Sequence, residues 1–516
     1  MTPVFSVFSL SACRCFSPKL VNAGVLLILS ACGGGSGSTS PAGTPGNTIA
    51  TPATPNPAIA LGTIGTPPIV DGNWVRCAGE GEVCFLPSQQ QVRYGIAGKY
   101  TYRVAEESIP CNNSTFSDPS IGDIKTCEYA PLKGASPDGQ VFAPASFGRT
   151  LSVGPHGNYA LPCDALNVAA MGDIVEIDAA GTYDGNVCAF EVDDLTIRGV
   201  NGRPKIDATG QYAWGKGIWV VRGRRNVIEN VELSGARVPD HNGAAIRLDG
   251  VHLTLRNSFI HDNENGILTN NDKVSDIVIE HCEFGHNGYG TGFTHNLYIG
   301  YVSSLTFRYN FSHDANVGHN LKSRAGVNTI VYNRFSSTRP GEPGSTEAGE
   351  PSYEIDLPNA GTAYVIGNII EQPAANQNTN VVSYGVEGAS NQGQMLYVIN
   401  NTFINDAGSG SFVLTGSDVK QAAFLQNNVF VGPGDVANLA LTILAGNYRV
   451  NSNAFVDFGR YDLLPAAGAA FIGAGALPRY SSTGVPLVPR AEYVHVAQGR
   501  QRSNGPTLDA GAYAAQ

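Results

Sequence analysis

Ile228-Glu229-Asn230, Leu255-Arg256-Asn257 and Ile279-Glu280-His281 begin a column of similar triplets. It continues through Phe307-Arg308-Tyr309, Val331-Tyr332-Asn333, Ile366-Gly367-Asn368, Ile399-Asn400-Asn401, Leu425-Gln426-Asn427 and Val450-Asn451-Ser452. Successive members lie 27, 24, 28, 24, 35, 33, 26 and 25 residues apart. A period of this size with occasional insertions marks a stacked repeat, because one unit is too small to bury its own apolar face. Each unit holds short apolar runs of strand type and no long run of helical period. The pattern predicts an all-β fold, a right-handed parallel β-helix of about ten coils. Recurrent Asn supports it, since stacked amides can hydrogen-bond along a ladder of equivalent turns.

Composition agrees with this. The 516 residues include 62 Gly and 30 Pro, only 15% are charged, and the net charge is −11. Coiled coils and long helical bundles are excluded by so much Gly and so little Lys and Glu. A nucleic-acid binder would carry a basic surplus, so no nucleic-acid partner is expected. The acidity is uneven. Residues 203–339 hold 15 basic against 12 acidic side chains, whereas 1–202 hold 10 against 17 and 340–516 hold 7 against 14. Positive charge in the middle coils is where an anionic polymer would be admitted.

The flanking segments read differently. Residues 20–29 (LVNAGVLLIL) form a short apolar run after Arg14 and Lys19, the polarity of an export signal. The run ends in Leu29-Ser30-Ala31-Cys32 followed by GGGSGSTS. This resembles a bacterial lipoprotein signal, which implies cleavage of 1–31, acylation of Cys32 and an outer-membrane lipid as partner. Residues 32–67 read as the lipidated Cys and a disordered tether. Residues 68–132 read as a small Cys-rich β module, similar to secreted modules found beside glycan-active enzymes. It is either a sugar-binding unit using Trp and Tyr faces or a structural spacer. The β-helix is expected over 137–480 and a capping segment over 481–516. Cys77, Cys84, Cys111, Cys127, Cys163 and Cys188 suit three bridges in an oxidising compartment, with nearest-neighbour pairing as the simplest of several connectivities. Cys282 then remains as a buried thiol.

A second strand precedes each triplet. With Ile218, Ile246, Leu268, Leu297, Leu321 and Ile355 taken as inward, their neighbours point outward. The outward set then includes Trp219, Arg247, Thr269, Tyr298, Lys322 and Asp356, with Asn296, Asn320 and Glu354 one step before on three coils. Arg324 lies at the edge, and His295 and His319 open matching strands, HNLYIG and HNLKSR. This ribbon is the candidate site. Arg247, Trp219, Asn296 and Asn320 are its expected substrate-binding residues. His261, His281, His286 and His313 read as turn or ladder residues.

Lys322-Ser323-Arg324-Ala325-Gly326-Val327-Asn328, followed by Tyr332-Asn333-Arg334-Phe335, resembles a strand of chondroitinase-B and alginate-lyase type polysaccharide lyases. The start GDIVEIDAAGTY (172–183) and the ending TLDAGAY (507–513) are similar to secreted pectate-lyase-like β-helix proteins. The resemblance implies an acidic polysaccharide as substrate and Lys322 as the base that removes a uronate C5 proton. It implies a Ca²⁺ held by acidic or amide side chains, for which Glu354 and Asp356 are the candidates. The family's Arg acid has no counterpart on the following coil, SYEIDLPN (352–359), so Arg324, Arg339, Tyr298 or a His stands in its place. The expected protein is a monomeric outer-membrane lipoprotein with lyase activity. A glycoside hydrolase using Glu354 and Asp356, a uronate epimerase and a non-catalytic glycan binder are the alternatives. No nucleotide-binding motif is present.

Overall fold

The computed structural model describes residues 74–516 apart from 87–89, 106–107, 121, 131–147, 338–348, 440–441 and 506. The signal-like run, Cys32, the tether and Arg339 lie outside the described residues. Two compact units divide at Lys133/Gly134. Among the described residues no helix is long and apolar enough to cross a membrane.

The first unit is a four-stranded antiparallel sheet of Val75–Gly79, Thr126–Ala130, Gln90–Ile96 and Lys99–Ala105, in that order. Its core is small, built on Tyr94, Val92, Ile109 and Phe116. Cys77–Cys84 and Cys111–Cys127 cross-link it, as a core of this size requires. Trp74 and Tyr100, the faces expected for sugar, both lie against the Arg93 guanidinium, at 4.4 and 4.1 Å.

The second unit is a parallel β-helix with three sheets, one of twelve strands and two of ten. The twelve-stranded sheet runs from Thr150–Val153 to Ile443–Ala445 and is called the first sheet here. The second sheet runs from Lys205–Asp207 to Tyr448–Val450, and the third from Cys188–Phe190 to Asp435–Ala437. Like residues stack on like. Leu255, Ile279, Phe307, Ile330, Val365, Val398 and Leu425 form one unbroken inward row of the first sheet, and all are buried. A slip of one residue would turn such a row out to solvent, so the apolar pattern fixes the register. The short helix Pro162–Leu166 places Ala165 and Leu166 in this core. Cys163–Cys188 ties the helix to the first strand of the third sheet. Cys282 is the free, buried thiol expected, and burial pushes it up to about 12, an unreactive value.

The Asn column proves to be two columns. Asn230, Asn257, His281, Tyr309, Tyr332, Gly367, Asn400, Asn427 and Gly446 occupy equivalent left-handed positions, with φ between 49° and 68°. Asn and Gly are the residues that tolerate this backbone. The next position along carries the true ladder: Asn310, Asn333, Asn368, Asn401, Asn428 and Asn447. Asn368 donates from N and Nδ2 to Asn401 Oδ1, at 2.9 and 3.0 Å, and the same pair of bonds recurs along the row. Asn333, Asn368 and Asn401 of the triplets therefore belong to the ladder, one residue beyond Asn257 and its equivalents. Val450 lies in a different sheet.

Residues 481–516, expected as a cap, lie along the outside of the coils. Ser481 and Leu487 pack by Tyr364 and Tyr397. Arg490 N donates to Tyr332 Oη at 2.9 Å, and His281 Nδ1 meets the Ala497 carbonyl at 3.1 Å. The hairpin of Ala491–Val494 with Gln498–Gln501 thus covers the stacked rings of His281, Tyr309 and Tyr332. That cover explains why aromatic residues replace Asn at those three left-handed positions.

Candidate active site

Four adjacent strands of the third sheet carry the site: β1 (Leu297–Ile299), β2 (Leu321–Ser323), β3 (Ile355–Leu357) and β4 (Val382–Tyr384). Each reads apolar–polar–apolar or near it, so the middle residue faces outward. The pairings line up Arg247, Leu268, Tyr298, Lys322, Asp356 and Ser383 in one outward row. Adjacent members are one strand spacing apart, ~4.8 Å.

Lys322 is the centre of the row. Its Nζ lies 2.9 Å from Asp356 Oδ2 and 2.8 Å from Glu387 Oε1. Arg324 donates from Nη2 to Glu387 Oε2 at 2.6 Å, from Nε to Tyr298 Oη at 2.8 Å and from Nη1 to Asn359 Oδ1 at 2.5 Å. Asp356 is fixed from behind by Ser383 Oγ at 2.8 Å. Burial works to lower the Lys322 pKa, but the Asp356 and Glu387 carboxylates outweigh it and the net shift is upward. A cationic neighbour such as Arg324 would by itself lower an ammonium, but the two carboxylates at 2.9 and 2.8 Å decide the direction here. Burial raises Asp356 in spite of Lys322.

His295 and His319 stack with centroids 4.6 Å apart beneath this network. Both are nearly inaccessible. Burial, then neighbouring positive charge, pushes His295 well below its ordinary value and His319 down to about 3. His295 Nδ1 accepts from His319 N at 3.0 Å, and His319 Nδ1 accepts from Tyr353 N at 3.1 Å. Each neutral ring therefore carries its proton on Nε2. His319 presents that edge to Asp356 Oδ2, 3.5 Å away. With one nitrogen occupied and the other protonated, neither ring can accept a substrate proton. They position the row.

Several expected residues lie elsewhere. Trp219 is fully buried in the core, because it pairs with inward Ile246 rather than Arg247. Leu268, not Thr269, fills the outward row for the same one-residue reason. Asn296, Asn320 and Glu354 are completely buried. They form an internal ladder in which Asn296 Nδ2 donates to Asn320 Oδ1 at 2.7 Å and Asn320 Nδ2 to Glu354 Oε2 at 2.6 Å. Burial raises the Glu354 carboxyl well above its usual range, which opposes its charged form. Glu354 and Asp356 do not fit Ca²⁺: the first is completely buried on Asn320 and has no access, and the second already faces an ammonium. Among the described residues no cluster of three or more His, Cys, Asp or Glu suits a metal ion. Arg247 stands in the row but is bound to Asp249 at 3.0 Å, which also holds Lys216.

Glu387, Asn359 and Ser383 complete the site and were not anticipated. Ser383 was readable, since Val-Ser-Tyr continues the alternation of Leu-Lys-Ser and Ile-Asp-Leu. Glu387 sits in a loop, Gly385-Val386-Glu387-Gly388, where no repeat partner exists to reveal it. Beside Arg324 a cleft of about 330 Å³ is lined by Lys273, Tyr301, Gly326, Ser390 and Asn391, a size that holds a small ligand.

Comparison with known proteins bears on the fold. The model of a family described as "right handed beta helix region" matches residues 182–370. The crystal structure of pectate lyase Pel9A superposes with a TM-score of 0.50 over 72% of this chain and 97% of its own, at 16% identity. A 62-residue stretch is 37% identical to uncharacterized protein L701 of Acanthamoeba polyphaga mimivirus, covering 11% of this chain and 30% of that protein.

Proposed function

We propose that this pectate-lyase-like right-handed parallel β-helix acts on a uronate-containing polysaccharide and cleaves it by β-elimination. The observation that carries the reading is the Lys322–Arg324 pair, an ammonium and a guanidinium already clamped on one carboxylate. Elimination needs the uronate carboxylate neutralised, a base for the C5 proton and an acid for the departing oxygen. Arg324 suits the first role, since its planar fork matches a carboxylate. Tyr298 suits the last: its oxygen accepts the Arg324 Nε–H, which leaves its own O–H free to donate outward. Lys322 is the base. Because Asp356 and Glu387 hold its proton, elimination is expected to accelerate on the alkaline side.

Incubation with polygalacturonate, alginate and chondroitin tests this. The expected product absorbs in the ultraviolet through a new C4–C5 double bond, and Lys322→Ala lowers the rate at least ~100-fold. Full activity in Lys322→Ala would overturn the base assignment. One observation favours hydrolysis instead. Lys322 Nζ reaches both Asp356 and Glu387, so the two carboxylate oxygens that face it are at most about 6 Å apart, a bound that includes retaining-glycosidase spacing. Burial drives Asp356 up, whereas Lys322 and Arg324 overcome burial to hold Glu387 down. New reducing ends without the double bond would decide for that reading.

The three disulfides support an oxidising compartment. With the Leu29–Cys32 motif, they support export and an outer-membrane anchor on Cys32. Metabolic labelling with palmitate, abolished by Cys32→Ser, is the expected result.

A further inference from the structure

We infer that the Glu387 carboxylate occupies the place of the substrate's own carboxylate, so that an acidic sugar binds by displacing Glu387 from Lys322 and Arg324. This rests on the uronate reading above. Its two oxygens lie one on each cation, at 2.8 and 2.6 Å, the place an acidic sugar takes over on binding; Arg324 keeps that carboxylate once Lys322 has lost its proton to solvent and acts as the base. Glu387 is also the most exposed of the four charged members of the network. Its side chain is 45% exposed, against 9% for Lys322, 13% for Arg324 and 1% for Asp356.

The two cations would keep their shape without it. Asp356 still holds Lys322, and Tyr298 and Asn359 still hold Arg324. Only the side chain has to move. The backbone of the loop stays tied, with Gly385 N on the Leu357 carbonyl at 2.8 Å and Glu387 N on the Pro358 carbonyl at 3.0 Å. The cleft lined by Lys273, Tyr301, Ser390 and Asn391 adjoins Arg324, where the rest of the sugar ring would rest.

Exchange of one carboxylate for another leaves no buried cation unpaired at either stage. A neutral sugar offers no such exchange, and binding it would strip Lys322 and Arg324 of Glu387 without replacement. Glu387 thereby selects for acidic sugars.

The test is calorimetric titration of the full chain with galacturonate, guluronate and mannuronate trisaccharides and their methyl esters. Glu387→Gln and Glu387→Ala are expected to bind at least one free acid about five-fold more tightly than the wild type, with no gain for the esters. Thermal melting confirms that both variants are folded. Equal or weaker binding by the folded variants, or no binding to any of the acids, overturns the inference. Tighter binding without double-bond formation sustains it and removes the lyase reading. Polymer cleavage together with weaker binding by both variants does the reverse.

Discussion

His319 and His261 respond to pH in opposite directions, each for a local reason. His319 is buried beside Lys322 and Arg324 and is held down to about 3, against an ordinary 6.5. The unfolded chain therefore binds a proton below pH 6.5 that the folded chain refuses, and stability falls as pH drops toward about 3. The slope from this group reaches at most about 1.4 kcal/mol per pH unit. His261 is different: burial lowers it, but Asp262 at 2.6 Å and Glu232 raise it to about 9. Its contribution is complete below pH 6.5 and is lost as pH climbs through about 9. Urea unfolding across this range should show both limbs. His319→Gln should flatten the acidic one and His261→Phe the alkaline one. Site chemistry was legible at this scale only where alternation applied. Tyr298, Lys322 and Asp356 followed from strand period. Trp219 was misplaced because a register one residue off reverses the facing. Asn296 and Glu354 stand just before the strands Leu297–Ile299 and Ile355–Leu357, where strict alternation has not begun. Glu387 had no periodic neighbour to announce it.

Among the elements, the Asn ladder joins successive coils most directly. Asn368 accepts from Asn333 N and Nδ2 and donates to the Ile330 carbonyl and Asn401 Oδ1, all within 3.0 Å and fully buried. Removing its amide leaves several of these groups without partners in a dry interior, where each costs about 1–3 kcal/mol. Asn368→Ala is expected to destabilise by about 2–4 kcal/mol in urea titration, since neighbours partly relax. Asn376→Ala, on an exposed turn that bonds only to nearby carbonyls, should be near neutral by the same measure. Existence of the coils was plain from the period alone. The ladder's exact column was not, because two adjacent positions both favour Asn, one for its left-handed backbone and the other for its amide. Where Tyr309 and Tyr332 take the left-handed position, the nearest Asn in sequence is the ladder residue one step on.

For the whole molecule, the hairpin of 491–501 lies across the coils of His281, Tyr309 and Tyr332, far from it in sequence. Gly499 packs on the Tyr309 ring so closely that an added Cβ would fall 2.4 Å from it. Gly499→Val should lift the hairpin, and hydrogen exchange should then quicken in residues 281–332 while 196–256 keep their protection. Fold class and coil number were legible because they depend on many residues averaged together. This long-range cover was not, since His281 and Ala497 are 216 positions apart and no local pattern links them.

That separation sets a chronology. As the chain is made, residues 150–280 can stack coil by coil in the order they appear, each new rung sealing the one before. The coils of 281–332 cannot finish in turn, because their outer surface waits for residues 491–501, a long span of synthesis later. Until then their rings lie open, and Tyr364 and Asn400 wait in the same way for Leu487 and Asp509. This protein therefore finishes on the outer side of coils laid down long before, among them those that include Tyr298, Lys322 and Arg324.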